Sequence, residues 1–132
     1  MGTRSLTFVY DGDQPVLNLY RQFDGYPSGH GAELAEFLSG FEVVNGYGEV
    51  KPKLANGMGC LAAQLVAHFK QSVGGFYIHP VTSTDCWQDY EYHVYENKVI
   101  VNSCATVYDS GHSQVIFEGT WEELNEFCSE SV

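Results

Sequence analysis

At 132 residues the chain is long enough to bury an apolar core of its own, and it reads as one domain, 1–132. Seventeen Asp and Glu against six Lys and Arg give a formal charge of −11, which excludes a broad basic surface for polymeric nucleic acid or for an anionic membrane. No run of about 20 apolar residues is present to span a bilayer. The first residues read as a strand rather than a basic, apolar leader, so a cytoplasmic setting is expected.

Residues 4–10 and 15–23 read as two strands around the turn cluster Asp11-Gly12-Asp13-Gln14. Pairing Tyr10 with Pro15 sets Phe8 opposite Leu17, Leu6 opposite Leu19 and Arg4 opposite Arg21, and brings the apolar sets onto one face. Like charges directly opposite on a sheet repel. Two adjacent guanidinium groups therefore call for a partner, which could be Asp24, the last carbonyls of a helix, or a bound anion.

Glu33 to Phe41 carries Leu34, Phe37, Leu38 and Phe41 at helical spacing, with Ser28 as N-cap and Gly40 as the stop. Residues 42–54, holding Gly46, Gly48 and Pro52, read as an irregular excursion. A second helix is expected from near Asn56 to Gly74-Gly75, burying Leu61, Leu65, Phe69 and Val73. Strands follow at 76–80, 90–96, 99–107 and 114–118, with Asn97-Lys98 as a tight turn and Asp109-Ser110-Gly111-His112 as a loop. Thr120 and Glu123 form a capping box that opens a last helix carrying Trp121, Leu124 and Phe127. The order ββααββββα predicts an α+β fold, a mainly antiparallel sheet of about six strands with two to three helices packed on one face.

The candidate site is the loop from Asp24 to Gly31, which joins a strand to a helix start. Glycines there let a ligand approach free backbone N–H groups, which suit phosphate or carboxylate. Arg4 and Arg21 would clamp the anion, Gly29, His30 and Gly31 would offer backbone donors, and Tyr26 or His30 would orient the ligand beside Asp24. The bland alternative is that Asp24 salt-bridges an arginine and the glycines serve only the turn. Asn56-Gly57-Met58-Gly59 opens the second helix in a similar way, although such glycines more often permit close packing.

Two further patterns carry less. With Glu96 paired to Val99, His93 falls opposite Asn102 and Glu91 opposite Cys104, the ingredients of thiol catalysis or simply the outer side of a sheet. His79, Cys86, His93 and His112 lack the close ligand pair of a zinc site, so neither a metal nor another cofactor is expected. Cys60, Cys86, Cys104 and Cys128 are widely spaced and read as free thiols.

The segments GTRSL, YRQFDGYPSGHG and ANGMGCLAAQLVAHF, with the Tyr90–His93 region, resemble a family of small uncharacterised proteins from bacteriophages and some bacteria. The resemblance covers most of the chain, and Asp24-Gly25-Tyr26-Pro27 is its most specific part. It implies a phage or bacterial cytosolic context, the host cytoplasm for a phage protein, and brings no assigned activity or catalytic residues. Small phage proteins that sequester nucleotide-like immune signals offer an analogy for an anion pocket.

The leading expectation is thus a small binding module for an anionic or nucleotide-like ligand. A second is a structural protein acting through homo-oligomeric assembly, with no ligand. A third is a small hydrolase or transferase that uses His30 or a His93/Cys104 pair.

Overall fold

The computed structural model describes residues 2–46, 51–83, 87–104 and 114–130. Strands β1 (Ser5–Asp11) and β2 (Gln14–Arg21) form the first hairpin. A single π-helical turn, Pro27–Gly31, runs directly into α1 (Ala32–Leu38). Short strands β3 (Glu42–Val44) and β4 (Leu54–Asn56) follow, then α2 (Gly57–Phe69) and β5 (Phe76–Ile78). The chain continues through β6 (Tyr90–Tyr95), β7 (Lys98–Ser103), β8 (Gln114–Gly119) and α3 (Trp121–Glu130).

The fold is α+β. Six strands form one sheet in the order β5-β2-β1-β6-β7-β8, and β3 and β4 form a separate parallel pair. Within the large sheet β1 and β6 run parallel, and the other neighbours are antiparallel. Strand alternation assigns Val9, Leu17, Leu19, Tyr92, Val94, Val99 and Val101 to one face, where they pack with the buried sides of the helices. Leu34, Leu38, Leu61, Leu65 and Leu124 are fully buried there; each such side chain contributes ~1.5–3 kcal/mol.

The opposite face carries no helix among the described residues, yet Leu6, Phe8 and Asn18 are buried on it. Strands β5 and β6 both run parallel to β1 and flank the β2–β1 pair. On this face Phe8 stacks on His93, and Asn18 holds the chain leaving β5 by donating from Nδ2 to the carbonyls of Pro80 (3.0 Å) and Ser83 (2.9 Å). His79 stacks on Tyr20 beside it.

The structure corrects several sequence expectations. A β-bulge between Val9 and Tyr10 shifts the first hairpin, so Arg21 pairs with Ser5, and Leu17 and Leu19 pair with Val9 and Thr7. Arg4 and Arg21 are therefore not cross-strand neighbours. Helix α2 ends at Phe69 rather than at the glycine pair: Lys70 leaves the helix and its ammonium bonds the carbonyls of Gly74 and Phe76, which folds the chain back toward β2. Val73 is consequently 99% exposed instead of extending the buried stripe. The second hairpin turns at Glu96–Asn97, one residue earlier than expected, with Asn97 at φ 54°. Strand β7 ends at Ser103, and the loop expected at 109–112 lies outside the described residues, as do Cys86 and His112. The α3 capping box forms as the sequence suggests: Thr120 N donates to Glu123 Oε1 (2.8 Å) and Glu123 N to Thr120 Oγ1 (3.1 Å).

Candidate functional site

The loop after β2 is shaped by close approach to β1. Asp24 adopts φ 60°, and Gly25 N donates to Thr3 O at 2.9 Å. A Cβ on Gly25 would lie 2.8 Å from the Arg4 backbone and from Ser5 Cβ, so only glycine fits here. Beyond it, the turn consumes its own donors: Gly29 N bonds Tyr26 O at 2.9 Å, Gly31 N bonds the same carbonyl at 3.4 Å, and His30 N bonds Asp24 O at 2.8 Å. Ser28 makes no side-chain cap, because the π-helical turn carries the chain into α1 without a break and Gly31 occupies the N-cap position. The backbone N–H groups expected to hold an anion are thus spent within the loop.

Arg21 is the organising side chain. Its Nε donates to Phe23 O (2.7 Å), its guanidinium lies 5.0 Å from the centre of the Phe76 ring, and its Nη1 donates to His30 Nδ1 (3.2 Å) and pairs with the Glu33 carboxylate. Because arginine only donates, His30 Nδ1 accepts, and Nε2–H is left to donate to Thr7 Oγ1 at 2.7 Å. His30 is fully buried; burial first and the Arg21 charge second push its pKa down to about 3, so it is neutral. It braces the site from beneath and offers no face to a ligand.

An open cleft of about 320 Å³ lies above this base, lined by Arg21, Asp24, Tyr26, Gly29, Glu33 and Glu36 among others. Tyr26 leans over it, its hydroxyl donating to Asp24 Oδ1 at 3.3 Å. Of the residues expected at the site, Arg21, Asp24, Tyr26 and Gly29 come together here. His30 and Gly31 are buried below, and Arg4 does not line the cleft. The Arg4 backbone is instead tied to the residue just before β6, its N–H donating to Asp89 Oδ2 (3.2 Å) and its carbonyl accepting from Asp89 N (2.8 Å). Sequence reading missed Glu33 and Glu36. The signal for Glu33 is an acid in the first turn of a helix that follows an arginine-bearing strand.

On the far side of the sheet, His93 pairs across strands with Ile100 and Glu91 with Asn102, so the expected His93–Asn102 and Glu91–Cys104 pairs shift by two residues. Cys104 is buried, and its burial followed by the nearby Glu91 and Asp89 charges pushes the thiol up to about 12. A thiolate nucleophile at this position is disfavoured. His93 meets a phenol instead, that of Tyr10.

No family model, curated protein or solved structure matches the chain. No helix among the described residues is long and apolar enough to cross a membrane.

Proposed function

We propose that the protein is a small-ligand-binding module whose site is the Arg21 cleft, in a phage or bacterial cytosolic setting suggested by the family resemblance. One observation carries this reading. Arg21 is fixed on three sides by Phe23 O, His30 and Phe76, while its counter-ion Glu33 is a half-exposed side chain at the cleft wall. A pre-organised guanidinium with a displaceable internal carboxylate is suited to exchange that carboxylate for the anionic group of a ligand.

The rest of the cleft narrows the ligand class. Asp24 and Glu36 accept hydrogen bonds and repel a bare anion. The ligand therefore combines a phosphate or carboxylate for Arg21 with hydroxyl or amino donors for the acids, as a nucleotide or a zwitterion does. The clamp has one arginine, not two, since Arg4 lies outside the cleft.

The test is titration calorimetry with inorganic phosphate, adenosine monophosphate and a free amino acid. Adenosine monophosphate or the amino acid should bind more tightly than phosphate, and Glu33→Gln should tighten binding by removing the competing carboxylate. Arg21→Gln should abolish binding. Failure of all three ligands on both wild type and Glu33→Gln would refute this reading and favour a structural, oligomeric role, which native mass spectrometry would register as a stable multimer.

A further inference from the structure

We propose that Tyr10, His93 and Glu91 form a second functional site, in which a base-assisted phenol accepts acyl groups from activated aryl esters. The three side chains form one line of hydrogen bonds across β1 and β6, on the sheet face away from the helices. Tyr10 Oη lies 2.6 Å from His93 Nδ1, and His93 Nε2 lies 3.1 Å from Glu91 Oε1. This site is independent of the Arg21 cleft.

Protonation states follow from the partners. Burial pushes the Glu91 carboxyl upward, but hydrogen bonds from His93 and Gln88 outweigh it and hold the group below its ordinary value, so Glu91 is ionised. A carboxylate only accepts, which assigns the imidazole proton to Nε2 and leaves the Nδ1 lone pair facing the Tyr10 hydroxyl. This is the order of a hydroxyl–imidazole–carboxylate triad with a phenol in the nucleophile's place. Burial, then Tyr95 and the charge of Glu91, push the Tyr10 phenol above its ordinary value, so it rests protonated and needs the base.

Packing holds the geometry. The His93 ring stacks on Phe8 at 5.1 Å and 6°, and the Tyr10 ring on Tyr95 at 4.3 Å and 8°. The His93 and Glu91 side chains keep 18% and 15% of their exposure, unlike the sealed His30. The Tyr10–Tyr95 stack supplies an aromatic platform for an aryl leaving group.

In the reaction, Tyr10 Oη attacks the ester carbonyl as its proton passes to His93 Nδ1. The Oη–carbon bond forms, the bond from carbonyl carbon to aryl oxygen breaks, and His93 returns the proton to the departing aryl oxide. The products are O-acyl-Tyr10 and a phenol. Glu91 is a positioning residue that holds the imidazole tautomer and offsets the transient imidazolium charge.

The experiment treats the intact protein with 4-nitrophenyl acetate and maps acetylation by peptide mass. Tyr77, 46% exposed and outside the triad, is the internal reference. Tyr10 should be acetylated about a hundredfold faster than Tyr77. His93→Gln should bring Tyr10 down to the Tyr77 rate. Glu91→Gln should slow it comparably and move the His93 proton toward Nδ1 in the 15N spectrum, because an amide can donate to Nε2. Acetylation of Tyr10 no faster than that of Tyr77 in the wild type overturns the proposal, whether or not the variants fold. An unchanged Tyr10 rate in folded His93→Gln overturns it as well.

Discussion

Tyr92 donates its phenolic proton to the carbonyl of Gly25 across 2.7 Å, in a buried bond that ties the middle of β6 to the loop beneath the Arg21 cleft. The bond spans 67 positions of sequence and closes the loop against the core. Tyr92→Phe keeps the ring and leaves the Gly25 carbonyl without this donor. It should cost ~1–2 kcal/mol, read as a lower urea midpoint at unchanged slope. Amide exchange should accelerate at Gly29 and His30 more than in α2.

His30 should make the protein acid-sensitive in a defined window. Its pKa is about 3 in the folded state against the ordinary 6.5. Below pH 6.5 the unfolded chain takes up a proton that the folded chain refuses, so stability falls as pH drops from 6.5 toward 3. The slope from this one group approaches ~1.4 kcal/mol per pH unit. In His30→Gln, denaturant melts across this window should show a shallower pH dependence, even if the variant is less stable at neutral pH through loss of the imidazole contacts.

Glycines 31 and 59 should respond oppositely to alanine. A Cβ on Gly31 would lie 2.7 Å from Cys128 Sγ and 3.3 Å from the Tyr92 ring, so Gly31→Ala should destabilise by ~1–3 kcal/mol. Gly59 lies in α2 with open space around its Cβ direction. Gly59→Ala should stabilise by ~0.5–1 kcal/mol. Thermal melts of the two variants check both signs.

The thiols should separate by reactivity. Cys60 is partly exposed, whereas Cys104 and Cys128 are buried. Burial, with Glu91 and Asp89 nearby, raises Cys104 to about 12, and burial raises Cys128 to about 11. Iodoacetamide at pH 8 should label Cys60 well before Cys104 and Cys128, which should stay unlabelled until urea unfolds the protein. Rapid labelling of Cys104 in the folded state would restore the thiol reading.

What the sequence disclosed is what repeats locally. The helical spacing of Leu34, Phe37 and Leu38, the Thr120–Glu123 box and the alternation around Tyr92 and Val94 all lie within a few residues of their cause. The Val9/Tyr10 bulge was hidden because Ser5-Leu6-Thr7-Phe8 alternates as if Leu6 and Phe8 shared a face with Leu17 and Leu19, whereas β1 is buried on both faces and Thr7 and Val9 pair with those leucines. Ser28-Gly29-His30-Gly31 has the composition of an exposed loop, and only Tyr92, Thr7 and Arg21 in place around it make His30 a sealed brace. Arg21, Asp24 and Tyr26 were legible as neighbours because the chain itself holds them together. Phe76, which stacks on Arg21, and His93, which meets Tyr10, arrive from distant strands.

The position of β1 between β2 and β6 also sets a timetable for synthesis. Tyr10 and His93 meet across 83 positions, so the central strand lacks one of its edges until β6 has left the ribosome. During that interval Phe8 lacks the His93 ring it stacks on, and the first hairpin is an open template for stray strand pairing. A nascent chain halted before Tyr90 is therefore a natural client for a chaperone or a protease. The first hairpin joins a cooperative sheet only once β6 has been made.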